Sequence, residues 1–225
     1  MPDRRGSGGN QQDRGHAPSP ARLIDDIGEF LNAMNKKSPG QWTAIVGISW
    51  GGKLAVLASA RYPLVISALA LICPGMRPRV GVSFLERLRI AFAYFTNRRK
   101  KFPIPLSDPA LFTSNPSGQA FIASDPFSLR EATSGLLAAS ALIDRSVARV
   151  PSKVHQPLLL MLASEDRIVN NRETRCYVER LASQDRTIIE YPGAHHTLEF
   201  EPDPGLHAAD LAAWLRRRRE FGAPG

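Results

Sequence analysis

The sequence predicts an α/β protein built on a short parallel sheet. Three observations carry this. Apolar runs of strand length alternate with amphipathic segments of helix length. The apolar runs are nearly continuous, as in strands covered on both faces. Each run closes on Gly, Pro or a polar turn.

Residues 1 to about 20 are rich in Gly, Pro, Arg, Asp and Gln and read as loop. Segment 21–37 places Leu23, Ile24, Ile27, Phe30, Leu31 and Met34 at helical spacing, with Ser19 as cap and Pro20 at the first position. "WTAIVGI" (42–48) reads as a strand covered on both faces. Segment 50–62 reads as a helix stopped by Pro63, and "VISALALIC" (65–73) as a second buried strand stopped by Pro74-Gly75. A third strand (157–163), a helix (171–183), a fourth strand (186–193) and a closing helix (204–220) follow. Segment 76–150 breaks this rhythm with amphipathic pieces, prolines and the basic run "NRRKK", and reads as a lid-like insertion. The expected organisation is one domain over 1–225 carrying that insertion.

The chain is long enough for one real core, and its 43% hydrophobic and 22% charged content is that of a globular protein. No apolar run approaches the ~20 residues of a membrane span. The opening "MPDRRGSGGNQQDRGHAPSP" lacks a signal-peptide core, so the expected location is cytoplasmic. Cys73 and Cys176 match no metal spacing and are expected to be buried or semi-buried free thiols. No metal or cofactor is expected. The net charge of +8 is concentrated in "NRRKK" and in Arg216–Arg219. No nucleic-acid motif accompanies these runs, so they are expected to be solvated charge, and no nucleic-acid partner is expected. Arg216–Arg219 also suit the end of the last helix.

The chemistry gathers at "GISWG" (47–51), a G-x-S-x-G pattern. By composition it should occur by chance in roughly one chain in ten of this size, so context decides. Ser49 stands between a buried strand and a helix, as a nucleophile elbow requires. A sharp turn would bring residues 47 and 51 close, which asks for glycine at both. It would also hold Ser49 in strained dihedrals beside free N–H groups, with that of Trp50 as an oxyanion donor. A serine needs a base, and the base an acid. "ASEDRIV" puts Asp166, with Glu165 as a weaker rival, after the third strand. "YPGAHHTLEF" puts His195 and His196 after the fourth. In a parallel sheet these loops share the ligand-binding edge. Asp125 and Asp144 are rival acids that fall in the insertion. His16, His155 and His207 are expected to be ordinary surface residues.

With these pieces the chain resembles serine hydrolases of the α/β-hydrolase fold, above all the monoacylglycerol lipase and lysophospholipase group (serine aminopeptidase S33-type domain) with a helical lid. "GISWGG", "ASEDRIV", "PGAHHTLEFE" and the stretch 111–133 carry the resemblance. It implies His196 as the base, because the family places histidine third after the glycine. It also implies that the elbow follows the fifth strand of eight. Only about 40 residues precede the elbow strand here, where usual element lengths ask for on the order of 60. "PDRRGSG" resembles the loop leaving the fourth strand. The expectation is therefore a sheet of about four strands lacking its first half. Strand 42–48 would then be an open edge, and the second oxyanion donor would be missing, a loss that typically costs ~10²–10³ in rate.

The resemblance and the three residues together imply a carboxylic-ester hydrolase with Ser49, His196 and Asp166 as catalytic residues. The apolar residues Phe84, Leu85, Leu88, Ile90, Phe92, Phe95, Phe112 and Phe121 suggest an acylglycerol or lysophospholipid-like substrate, and serve equally for packing within the insertion. Peripheral membrane contact and self-association through the open edge are the partner expectations. The alternative is a silent remnant that acts only by pairing with another chain.

Overall fold

The computed structural model describes residues 3–221, so the expected span of 1–225 runs past the described residues at both ends. Helix α1 (Pro20–Lys37) opens where Ser19 Oγ accepts the Arg22 N–H, and Pro20 occupies the first helical position. Its buried face is Leu23, Ile24, Gly28 and Leu31. Phe30 and Met34 share the apolar period yet stay exposed, because the covered stripe is narrower than the apolar one.

Strand β1 (Ala44–Ile48) leads into α2 (Gly51–Arg61) and β2 (Ala68–Ile72). Farther on lie β5 (Leu158–Ala163), α6 (Asn171–Glu179), β6 (Arg186–Tyr191) and α7 (Pro204–Phe221). Between β2 and β5 the chain forms α3 (Phe84–Thr96), β3 (Lys101–Pro103), α4 (Pro116–Ser124), β4 (Glu131–Thr133) and α5 (Ser134–Arg149). β3 and β4 make a small antiparallel pair. The main sheet is wholly parallel in the order β1-β2-β5-β6. Helix α6 is shorter than the predicted 171–183. The Arg180 N–H closes back on Tyr177 O, and the Ala182 N–H is drawn to Pro151 O.

Side-chain alternation along the two central strands divides the core. Leu69, Leu71, Leu158, Leu160 and Leu162 pack against α1, α2, α5 and α6. Ala70, Leu159, Met161 and Ala163 face the other way, toward Trp214 of α7. Both central strands are buried throughout. β1 departs from the expected two-sided cover: Val46 is 37% exposed. Among the described residues β1 pairs with β2 alone, and α7 on that side packs over β5. No described helix is long and apolar enough to cross a membrane.

Candidate active site

β1 and β2 both end in a backbone turn that L-residues rarely adopt. Ser49 has φ +48° and Cys73 has φ +40°. The Ser49 N–H still bonds Ile72 O, so the serine leaves the sheet directly beside Cys73. A residue held at positive φ persists only where its surroundings over-determine it. Here the Ser49 carbonyl oxygen accepts two N–H bonds, from Gly75 at 2.8 Å and Gly52 at 3.0 Å. Across a trans peptide the next N–H points opposite to that oxygen. The Trp50 N–H is therefore aimed away from both donors, and it meets no acceptor among the described residues.

The glycine logic of the elbow needs one correction. A Cβ at Gly47 would lie 2.7 Å from both Ala55 Cβ and Gly52 Cα, so that glycine is required as expected. A Cβ at Gly51 would meet nothing within 4 Å. The close partner is Gly52, whose Cβ would stand 2.6 Å from Pro74 Cβ. The turn packs against the loop after β2 one residue later than the pattern suggests.

The other two side chains come from the ends of β5 and β6. Register pairs Ala163 with Tyr191, so the loops that follow start level. They are tied together by Glu165 N–H to Ala194 O and by Gly193 N–H to Ser164 Oγ, both 2.8 Å, with Gly193 turning at φ +72°. Asp166 is 3% exposed and His196 5%. Asp166 Oδ1 accepts the N–H groups of Ile168 and Val169, each at 2.8 Å. Its Oδ2 lies 2.7 Å from His196 Nδ1. An ionised carboxylate only accepts, so Nδ1 carries the proton, and Nε2 accepts the Ser49 hydroxyl at 2.8 Å. Hydroxyl, imidazole and carboxylate thus form one unbroken chain.

The rivals lie elsewhere. Glu165 is exposed. His195 sits beside Glu201, its backbone N–H donating to Glu201 Oε1 at 2.9 Å. Asp144 is taken by Lys53 Nζ at 2.5 Å, and Asp125 Oδ1 accepts the Phe127 N–H. His155 is exposed and His207 half-buried. His16 departs from the surface expectation: it is half-buried, with Nδ1 2.9 Å from Thr133 Oγ1. Burial, then the Arg99 charge, hold its imidazole below the ordinary value. Cys176 is exposed, against expectation, because it falls on the outer face of α6.

The sequence gives no sign that two further residues stand beside the triad. Phe112 stands edge-on to the His196 ring at 6.0 Å, and its carbonyl accepts the Thr197 N–H. Cys73 is fully buried beside Asp166 and His196, their ligating atoms lying within 4.8 Å of one another. Burial foremost, and the Asp166 charge, push its thiol well above the usual range. That trio is not a free metal-ligand set, since Asp166 and the His196 Nδ1 already satisfy each other. A cleft of about 360 Å³ lined by Met76, Arg77, Arg79, Asp144, Asn170 and Tyr177 contains neither Ser49 nor His196.

Comparison with known proteins places the fold and the family. The chain is 25% identical to a monoacylglycerol lipase of Mycolicibacterium smegmatis over 215 residues, covering 95% of this chain and 76% of that one. It is 26% identical to the monoglyceride lipase of Homo sapiens over 201 residues, and spans 65% of that protein's length. The fold matches the crystal structure of Paleococcus ferrophilus monoacylglycerol lipase at a TM-score of 0.85, with 21% identity over 96% of this chain and 82% of that one. It matches a soluble variant of the Saccharomyces cerevisiae monoglyceride lipase, bound to a substrate analog, at 0.82, with 18% identity over 96% and 76%. These likenesses establish the α/β-hydrolase fold. The match to the serine aminopeptidase S33 family model runs over residues 1–203. By that match the chain belongs to the serine aminopeptidase S33 family of α/β-hydrolases.

Proposed function

We propose that this chain is a serine carboxylic-ester hydrolase that cleaves acylglycerol or lysophospholipid-like esters. The observation that carries the reading is the hydrogen-bond chain from Ser49 Oγ through His196 to Asp166. Ser49 Oγ attacks the acyl carbon while His196 Nε2 takes its proton. The buried Asp166 carboxylate holds the imidazole in the required tautomer and stabilises its positive charge. The developing oxyanion is received by the Trp50 N–H. His196 returns the proton to the departing alcohol, leaving an acyl-enzyme. Water, deprotonated by His196, then releases the fatty acid. Neither metal nor cofactor enters these steps.

The similarity to monoacylglycerol lipases supports a lipid ester as substrate. So does α3, read here as part of a lid over the site. Its Phe84, Leu85, Leu88, Phe92 and Phe95 are all more than half exposed. At 3.6 residues per turn the five fall within an arc of about 100°. Arg87 and Arg89 flank the stripe on either side and are exposed. Apolar residues between cations suit a lipid–water interface, where the lid would meet dispersed substrate.

The test is fatty-acid release from monooleoylglycerol and from lysophosphatidylcholine by the purified chain. Release that disappears in Ser49→Ala supports the reading, and the preferred substrate fixes the alcohol. A folded chain inert to both lipids and to p-nitrophenyl butyrate overturns it. The open outer edge of β1, with Val46 exposed, favours a second reading, a silent chain that pairs with another. A monomer by light scattering that hydrolyses the short ester excludes that reading.

A further inference from the structure

The Trp50 side chain is gripped from two sides by residues far away in sequence. Its Nε1–H donates to Ser140 Oγ of α5 at 2.9 Å. The Arg4 guanidinium lies over its ring, with Cζ 4.9 Å from the ring centroid. Arg4 is half-buried, and among the described residues no carboxylate lies within ion-pair distance of it. Among the described residues its guanidinium makes one hydrogen bond, a long 3.4 Å contact from Nη1 to the neighbouring Arg5 carbonyl. A cation removed from water without an acid partner is costly unless something else receives it, and the indole face does so. The stacking is thus the main electrostatic interaction Arg4 makes.

The peptide joining Ser49 to Trp50 is fixed at its carbonyl end by Gly75 and Gly52. A Cβ at Gly75 would stand 3.4 Å from Ser49 C and from Trp50 Cα, so the loop after β2 presses on the same unit. The far end of that unit is the Trp50 Cα, at the N-cap of α2, where the Trp50 carbonyl accepts the Lys53 N–H at 3.2 Å. That backbone bond fixes the carbonyl side of Trp50, and the indole, pinned at its edge by Ser140 and on its face by Arg4, adds a restraint through the side chain.

We propose that Arg4 and Ser140 are positioning residues that clamp the Trp50 indole and so aim the Trp50 N–H at the oxyanion. Neither touches the reacting atoms. The inference rests on the reading of Ser49 as nucleophile, and the clamp joins the N-terminal segment and α5 to the catalytic step.

The test is steady-state kinetics with p-nitrophenyl butyrate on full-length Arg4→Ala, Arg4→Lys and Ser140→Ala, repeated in a Trp50→Met background. Losing an oxyanion donor outright costs about 10²–10³-fold, and misaiming one is expected to cost roughly tenfold in kcat with KM within about twofold. Lysine, a cation without the flat stacking face, should restore part of the loss. In the Trp50→Met background, Arg4→Ala should change kcat less than about twofold, because the element it acts through is gone. Equal losses in both backgrounds, or an Arg4→Ala loss matched by an equal loss of folded protein in thermal melts, overturn the clamp. An active wild type whose kcat ignores Arg4→Ala and Ser140→Ala overturns the clamp alone. An inert wild type overturns the nucleophile reading, and the clamp falls with it.

Discussion

Asp166 does two things with two oxygens through three hydrogen bonds, and its substitution separates them. Oδ1 receives the Ile168 and Val169 N–H groups and so shapes the loop after β5. Oδ2 receives His196 and sets the tautomer. Asp166→Asn presents an amide that can donate to the imidazole and stabilise the wrong tautomer. We expect kcat to fall by about 10⁴ with little change in fold, as a triad acid requires. A change of less than tenfold would contradict the assigned role. The two glycines after the serine make a second contrast. Gly52→Ala drives a Cβ to 2.6 Å from Pro74, a rigid ring, and should lower stability by about 1–3 kcal/mol. Gly51→Ala meets open space at a helix start and should be neutral or stabilising by up to ~1 kcal/mol. Thermal melts of the pair check both, and equal losses would show that the elbow packs differently.

At the scale of elements, α3 and α5 carry the remaining predictions. Among the described residues the apolar stripe of α3 stays more than half exposed, while Ile90 and Ala93 on its inner face pack on Phe102. Phe92→Ser with Phe95→Ser should therefore leave the melting temperature unchanged. It should weaken binding to phosphatidylglycerol-containing vesicles by tenfold or more, since a buried Phe contributes about 1.5–3 kcal/mol. Unaltered vesicle affinity in flotation would remove α3 from the interface. Helix α5 begins at Thr133, whose Oγ1 accepts the Leu136 N–H and faces His16 Nδ1. Burial depresses the folded-state pKa of His16 below its ordinary 6.5, so the unfolded chain takes the proton first. Its contribution is present above about pH 6.5 and lost as the pH falls toward the folded value. Asp13 opposes the shift, and Arg99 and Arg98 add to it. Melting temperature should drop between pH 7.5 and 5.5, and by less in His16→Gln. An identical drop in both would assign the effect to other groups.

For the whole molecule, what was legible was what lies at a fixed offset from a strand end. Ser49, Asp166 and His196 lie in the loops that leave the ends of β1, β5 and β6, and parallel topology gathers such loops on one edge. The four-stranded parallel sheet was legible as well, from the four runs of strand length that alternate with helical segments. The misses share a different cause. Gly52 against Pro74, Arg4 on Trp50, Phe112 beside His196 and Cys73 beside Asp166 are contacts between distant segments, and no local period records them. The surface expectation for His16 rests on its standing in no loop after a strand, yet the fold presses it against Thr133. β1 is less covered than its continuous apolar sequence implies, because such sequence reports hydrophobicity and leaves open whether a helix lies on each face.

The account depends on Ser49 being a nucleophile made reactive by His196 and Asp166. Its most direct test is intact-mass and peptide-mapping analysis after treatment with a fluorophosphonate. One adduct per chain, located on Ser49 and lost in His196→Ala, is the result expected. A folded chain that takes no adduct, or that takes it on another serine, would contradict the account.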